Sequence, residues 1–367
     1  MRMSLVIYSM SGGGAERVMK LLCDAWAQER HVLTLITLAQ AQEDFFVVDP
    51  RVKRVGLGLM ADSPGLGAAL TNNLARIKAL RGALRESRPQ VIISFGDATN
   101  VLTILAARGL GAPVVVCEHT DPYHHQVGRL WAYLRRLVYP WAGAVVGVSP
   151  AASQYVARFV RRRPVLTIPN PIQPPRPAPA TDLRPWPLGP TVMGMGRLHP
   201  SKGFDLLLEA FARCGPDMAA WRLVILGEGP ERPRLEAQAL RLGIAQRVHL
   251  PGLVADPLPL LSQAEFFVMP SRYEGFPMAL CEAMSCGLAV VASDCSPGVR
   301  QIVRPGVDGL LVPPGDVESL SQGMLWLMQN PEGRARLARR APDVAQRFGL
   351  QRVLDQWAEL FGQLGLS

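Results

Sequence analysis

A chain of 367 residues is too long for one ordinary hydrophobic core and reads as two domains. With 49% hydrophobic and 19% charged residues it can bury both cores, which excludes a globally disordered protein. The net charge of +9 is uneven: residues 1–180 carry 21 Lys+Arg against 11 Asp+Glu, whereas residues 181–367 carry 18 against 19. A basic first half calls for an anionic partner, whether a phosphate-bearing substrate, an acidic membrane surface or nucleic acid.

The opening "MRMSLVIYSMSGGG" has an apolar run of only residues 5–10 and no small-x-small cleavage site. It reads as a first buried strand, not a signal peptide. No apolar run approaches the about 20 residues of a membrane-spanning helix, so any membrane contact is expected to be peripheral. Further short β-branched runs follow at 32–38, 91–95, 113–117, 144–149 and 165–169, separated by amphipathic segments. This alternation predicts parallel strands with crossover helices, an α/β doubly wound sheet. The proline-dense stretch "IPNPIQPPRPAPATDLRPWPLGP" interrupts the pattern, since it suits neither a helix nor a central strand.

Strands resume at 191–195, 222–227, 248–250, 266–270, 289–293 and 309–312. The expected organisation is therefore an N-terminal domain over 1–170, a Pro-rich linker over 171–190, a C-terminal domain over 191–345, and a final helix over 346–367 packing back on the N-terminal domain. Cys23, Cys117, Cys214, Cys281, Cys286 and Cys295 form no CxxC pair and have no histidines at zinc-ligand spacing, so they read as reduced core thiols.

Open parallel sheets bind ligands beyond the carboxyl ends of their strands, and two such sheets facing each other make a central cleft. Three loops at such ends carry chemistry. After the first strand, Gly12, Gly13 and Gly14 precede a helix; missing side chains let a ligand approach the backbone, although a plain tight turn reads the same way. After the first strand of the second domain, Arg197 and Lys202 offer two cations suited to a diphosphate, or simply solvated surface charge. In "SRYEGFPMALCEAMSCG" Pro277 suits the first position of a helix running to about Ser285. Glu274 then precedes the helix and Glu282 lies about one and a half turns inside it. Carboxylates accept from hydroxyl pairs, and a nucleoside diphosphate sugar carries hydroxyls at both ends with a diphosphate between. A solvated Glu274 and a structurally buried Glu282 are the alternative.

These segments resemble, across nearly the whole length, the retaining glycosyltransferases of the GT-B fold, specifically family four. The matching pieces are "SGGGAERV", "GMGRLHPSKGFDLLLEAF", "LGEGPERPRLEAQALRLGIAQRVHLPG", "EGFPMALCEAMSCGLAVVASDCSPGVRQIV" and "DGLLVPPGD". The resemblance implies two facing Rossmann-like domains, with the sugar nucleotide held by the second and the acceptor mainly by the first. Gly13 and Gly14 join the donor site by this likeness. Glu282 is expected to hold the ribose hydroxyls, and Glu274 the transferred sugar's hydroxyls, aided by the amides of Gly275, Phe276, Pro277 and Met278. Arg197 and Lys202 would neutralise the diphosphate, and the base would stack near residues 248–253, which include Val248 and Leu250. His119, in "CEHTDP", matches a position that reaches the donor sugar across the cleft; as a lone loop histidine it reads as a structural hydrogen-bonder. His124 and His125 have no such support. The catalytic set is thus His119, Glu274, Arg197 and Lys202, acting in a front-face displacement in which the leaving phosphate helps take the acceptor's proton. No Asp-x-Asp occurs, so neither a metal nor another cofactor is implied, and the nucleotide sugar is a substrate.

Two basic amphipathic segments mark the first domain: Lys78, Arg81, Arg85 and Arg88 near one helical face, then Arg129, Arg135 and Arg136 interleaved with Trp131, Tyr133, Tyr139 and Trp141. Arg158, Arg161, Arg162 and Arg163 add to them. They suit anionic lipid or a lipid-diphosphate acceptor as well as ordinary solvated helix faces. The expected function is transfer of a hexose or N-acetylhexosamine from a nucleotide sugar, UDP-linked, to a polysaccharide or a polyprenyl-diphosphate-linked oligosaccharide, in the cytoplasm at the inner face of the cell membrane. The rival readings are a catalytically silent sugar-nucleotide or membrane-binding protein and a sugar-nucleotide epimerase or a phosphorylase on the same kind of fold. Nucleic acid fits the charge alone and is not expected as a partner.

Overall fold

The computed structural model describes residues 1–60, 66–119, 128–173, 175 and 189–366. Most of the expected linker, together with His124 and His125, lies outside the described residues. The chain divides into two compact units, one of Met1–Pro171 with Leu350–Ser367 and the other of Ile172–Gly349.

In chain order the first unit contains β1 (Arg2–Ile7), α1 (Gly14–Gln28), β2 (Val32–Thr37), β3 (Lys53–Gly56), α2 (Leu66–Ser87), β4 (Val91–Phe95), α3 (Asp97–Ala107), β5 (Val114–Glu118), α4 (Arg129–Val138), β6 (Ala144–Gly147), α5 (Pro150–Ala157) and β7 (Val165–Thr167). The second contains β8 (Thr191–Met195), α6 (Phe204–Arg213), β9 (Arg222–Leu226), α7 (Arg232–Arg241), β10 (Val248–Gly252), α8 (Leu258–Leu261), β11 (Phe266–Met269), α9 (Met278–Ser285), β12 (Ala289–Ser293), α10 (Pro297–Ile302), β13 (Gly309–Val312), α11 (Val317–Gln329), α12 (Pro331–Arg340) and α13 (Asp343–Phe348). The last helix, α14 (Leu350–Gln363), belongs to the first unit.

The first sheet has the order β3-β2-β1-β4-β5-β6-β7 and the second β10-β9-β8-β11-β12-β13. Every strand pair is parallel. Both are doubly wound, and the strand order reverses between β1 and β4 in one and between β8 and β11 in the other. The uninterrupted Val/Ile/Leu runs follow from burial on both faces. In the second unit Leu223, Ile225, Phe266 and Val268 pack against Leu207, Phe211, Leu320 and Met324 from the covering helices. Burial pushes the Cys214 and Cys286 thiols up to about 11, as expected of inert core sulfur.

Strand β3 has no counterpart among the expected strands. It is a short edge element, KRVG, without an apolar run, and its Arg54 is spent on a bidentate ion pair with Asp44 at 2.6 and 2.8 Å. The expected final helix over 346–367 is two helices, because Gly349 breaks the run. A Cβ there would lie 2.4 Å from the Ala345 carbonyl oxygen.

α14 is fixed to α1 by an aromatic cluster. Trp357 meets Trp26 edge-on at 5.6 Å between centroids, and Phe361 lies 5.9 Å from Trp26. All three are almost fully buried. Trp357→Ala should therefore cost about 3–5 kcal/mol, read as earlier unfolding of the first unit in a denaturant titration followed by tryptophan fluorescence; an unchanged midpoint would contradict the packing.

Candidate active site

In the second unit the loops after β8 and β11 meet at the point where the strand order reverses, where open α/β sheets bind ligands. Gly203, at the start of α6, has φ of 66°, and a Cβ there would lie 2.1 Å from the Pro270 carbonyl oxygen. Only glycine permits both the left-handed backbone and this approach. Arg272 ties the loops together: its side chain donates twice to Asp205 at 2.8 and 2.7 Å and once to the Pro200 carbonyl at 2.7 Å, while its amide donates to Ser201 at 2.8 Å.

This clamp brings Lys202 and Glu274 together although 72 positions separate them. Lys202 Nζ lies 2.7 Å from Glu274 Oε1, and Ser271 Oγ donates to the same oxygen at 2.7 Å. Glu274 is buried and Lys202 half-buried, so the pair is partly screened. Arg197 is exposed on the same loop as Lys202 and has no side-chain partner among the described residues.

Pro277 has ψ of 98°, so α9 starts at Met278 and the proline caps the helix instead of occupying its first position. Having no N–H, it offers a ligand no donor. The amides of the first turn of α9 have no intrahelical acceptor and form its electropositive end. The preceding loop is held from both sides: the Gly275 carbonyl oxygen lies 2.4 Å from where a Gly298 Cβ would stand, and Phe276 packs edge-on against Phe348 at 5.2 Å. Glu282 is buried in the body of α9.

Val248 and Leu250 do not suit stacking on a base. Val248 belongs to the core of the second unit and Leu250 packs against it, because alternate residues of β10 point inward. The strand runs on to Gly252, with φ of 90°, and Leu253 beyond it is exposed. The tip of the strand, not its buried side chains, is the accessible part.

In the first unit Gly12 has φ of 109°, Gly13 caps α1 and Gly14 is its first residue. A Gly13 Cβ would stand 2.3 Å from Glu16 Oε2, so a carboxylate already lies over the glycine loop. Ser9 Oγ donates to Glu16 Oε1 at 3.5 Å, so this carboxylate is held within the loop. His119 follows β5. Its ring lies 4.1 Å from that of Phe95, and neither ring nitrogen has a hydrogen-bond partner among the described residues. Burial lowers its pKa to about 4, against a smaller opposing pull from Asp97.

Arg135 corrects the amphipathic reading of its segment, because it is buried and not part of a solvent-facing basic stripe. It pairs with Glu118 at 3.3 Å and with Asp97 at 3.4 Å. Arg81 is likewise spent on the Ala106 and Arg108 carbonyls, at 2.8 and 2.6 Å. Sequence reasoning missed Ser271, Arg272 and Asp205 as well as the Asp97, Glu118 and Tyr139 group. Glu118 adjoins His119 in the chain, and a charged residue ending an apolar strand was the available signal.

Residues 13–171 match the glycosyl transferase 4-like domain, and residues 189–344 match glycosyl transferases group 1. The chain belongs to this family, glycosyltransferase family four, and is a retaining glycosyltransferase of the GT-B fold. Over 365 residues, 99% of either chain, it is 27% identical to an alpha-1,4-N-acetyl-D-galactosaminyltransferase of Campylobacter jejuni, whose name gives GalNAc-alpha-(1->4)-GalNAc-alpha-(1->3)-diNAcBac-PP-undecaprenol as acceptor. Its fold is similar to that of sucrose-phosphate synthase from Thermosynechococcus elongatus, with a TM-score of 0.83, 20% identity and 99% of both chains covered. HepE of Anabaena, solved with UDP-glucose, gives a TM-score of 0.82 at 21% identity, covering 98% of this chain and 99% of that one.

The environment of His119 makes its ring neutral near pH 7. In a ring-resonance NMR titration its midpoint should lie near 4, well below an ordinary histidine. A midpoint at or above the ordinary value of about 6.5 would show that the ring is solvated or charge-paired.

Proposed function

We propose that this glycosyltransferase moves a hexose or N-acetylhexosamine from a UDP-linked donor to a polyprenyl-diphosphate-linked oligosaccharide or related glycan. The observation that carries the donor half is the Lys202–Glu274 pair held at the reversal point of the second sheet beside the amino end of α9. A cation, an electropositive helix end and two buried carboxylates in one neighbourhood suit an anion flanked by hydroxyls. The full-length likeness to an enzyme named for a lipid-diphosphate glycan acceptor supports the acceptor half.

In this reading Lys202, neutralised by Glu274 without donor, shares itself with the diphosphate when donor binds, and the exposed Arg197 adds a second cation. Glu274 turns to the hydroxyls of the transferred sugar, Glu282 to the ribose, and the N–H groups of Gly275, Phe276 and Met278 to the sugar or phosphate oxygens. The tip of β10, around Gly252 and Leu253, meets the base. For His119 we propose a neutral ring that exchanges hydrogen bonds with a donor-sugar hydroxyl, the role the family resemblance gives it. Bond breaking places negative charge on the departing diphosphate, so fixed cations stabilise the transition state more than the ground state. The departing oxygen accepts the acceptor's proton on the same face.

The two glutamates separate by experiment. Glu282→Gln should weaken binding of both UDP and UDP-sugar, since each contains ribose, whereas Glu274→Gln should leave UDP binding nearly intact and slow transfer. A lost charged hydrogen bond is worth about 1.5–3 kcal/mol and about 1.4 kcal/mol is tenfold, so calorimetry with UDP alongside initial rates resolves them. Identical losses in both assays for both variants would leave the carboxylates as fold-holding groups only.

We also propose peripheral contact with anionic lipid at the inner membrane face. Among the described residues no helix is long and apolar enough to cross a membrane. α4 and the turn after it expose Leu130, Tyr133, Leu137 and Trp141 along one side. Arg129 and Arg136 are exposed beside them, and the Arg108 guanidinium sits 4.4 Å over the Trp141 ring. Apolar side chains ringed by cations suit an anionic bilayer surface. Sedimentation with acidic vesicles should weaken steeply as salt rises; equal binding to neutral vesicles at every salt concentration would sink the idea.

A further inference from the structure

Val248 and Leu250 turn into the core, but the tip of β10 has a flat group of another kind beside it. Arg232 opens α7 and reaches across to β10. Its Nε donates to both carboxylate oxygens of Glu228, at 2.8 and 3.0 Å, and its Nη2 donates to one of them at 2.8 Å. Its Nη1 donates to Glu236 at 3.1 Å and to the Leu250 carbonyl at 3.0 Å. Glu236 lies on the same helix, and Glu228 on the loop between β9 and α7.

A guanidinium carries five N–H groups, all in its own plane. Here one from Nε, one from Nη2 and two from Nη1 are spent, so the edge is occupied and the face is what remains for a ligand. The same bonds hold the group still, and a ring laid on it has little side-chain freedom left to freeze. Arg247 and Arg334 of this unit lie over rings of the chain itself, Phe211 at 4.9 Å and Trp221 at 5.6 Å from the centroid, whereas Arg232 meets no ring among the described residues. Its side chain is 24% exposed.

This plate stands at the strand tip. A Cβ on Gly252 would meet Glu228 Oε2 at 3.8 Å and Arg232 Nη2 at 3.9 Å. With φ of 90° the position favours glycine, so no side chain of its own covers the guanidinium from that side. The Gly227 amide donates to the Gly252 carbonyl at 2.9 Å and the Leu198 amide to the Glu228 carbonyl at 2.9 Å, which fixes the plate against the loop that carries Arg197 and Lys202. β10 and β8 are two places apart in the sheet, about 10 Å, a gap suited to the ribose and phosphate that separate a base from its diphosphate.

We propose, resting on the donor reading above, that the face of the Arg232 guanidinium is the platform on which the donor's nucleobase stacks, with Glu228 and Glu236 as the residues that position it. A planar π-system over a guanidinium gains cation–π attraction and stacking together, which an aliphatic wall does not give. The surroundings also sort the two ends of a nucleotide. One guanidinium between two carboxylates leaves no surplus positive charge for phosphate, while an uncharged base is not repelled. The Arg232 hydrogen bond, and after it the Gly229 amide, holds the Glu228 carboxyl below its usual range, so the plate stays clamped near neutral pH. Every base has such a face; the platform supplies affinity, and groups at the base edge choose among bases.

Calorimetry on the full chain with UDP, dihydrouridine diphosphate and inorganic diphosphate tests this. The dihydro compound keeps the hydrogen-bonding edge of uracil but puckers the ring, so it has no flat face to stack. Arg232→Ala should weaken UDP binding about five- to hundredfold. Arg232→Lys keeps the charge and loses the plane, and should weaken it nearly as much. Both variants should bind inorganic diphosphate as wild type does and should no longer distinguish UDP from the dihydro compound, which wild type binds less well. Equal binding of those two by wild type, or a preference for UDP that survives in Arg232→Ala, would overturn the platform and leave the donor reading in place. Full UDP affinity in Arg232→Lys would assign the effect to charge and overturn it too, and an equal loss for all three probes would reduce Arg232 to a group that holds the loop. Absence of UDP binding by wild type would overturn the donor reading and the platform with it.

Discussion

Lys202 and Glu274 can form their ion pair only because two loops from neighbouring parallel strands touch, and they touch only because residue 203 has no side chain. The Pro270 carbonyl occupies the space a Cβ would need, so the backbone contact is closer than any other residue permits. From that contact follow the Arg272 clamp on Asp205, the placing of Ser271 against the same carboxylate oxygen, and the aim of α9. A doubly wound sheet supplies the gap between its diverging connections, and the glycine lets that gap become a fixed charge pair.

The two units place different groups at the same location. At the reversal point of the second sheet stand a lysine, an arginine and a helix amino end, which hold negative charge well. At that of the first, among the described residues, stand the Glu16 carboxylate over a glycine loop, the His119 ring, and Arg135 paired with Asp97 and Glu118. A common fold therefore carries different side chains at its two reversal points, set by a few loop residues and not by the sheets.

α4 shows how one helix serves two surroundings. Its outer side carries Leu130, Tyr133 and Leu137 in solvent, while Arg135 turns inward to Glu118 and Asp97. Arginine suits this inward role because its planar fork satisfies several acceptors at once, which a lysine point charge does not. The same residue type one position on, Arg136, stays outside. The sequence pattern of alternating arginines and aromatics is identical for both.

The order of strands and helices, the doubly wound class and the family were legible in the sequence, since Val/Ile/Leu runs buried on both faces and long local motifs such as "EGFPMALCEAM" are contiguous signals. The loop and helix residues on which the proposed donor site rests, Arg197, Lys202, Glu274 and Glu282, also sit within those motifs. Strand β3 was not legible, because an edge strand held by Arg54 and Asp44 has no apolar run to announce it. Nor was the burial of Arg135, the core placement of Val248, or the meeting of Asp97 and Glu118 on Arg135. Each depends on which side chains from distant segments reach the same few ångströms. A charged residue's solvation and protonation are set by those neighbours and not by its place in the chain, so only the tertiary structure decided them.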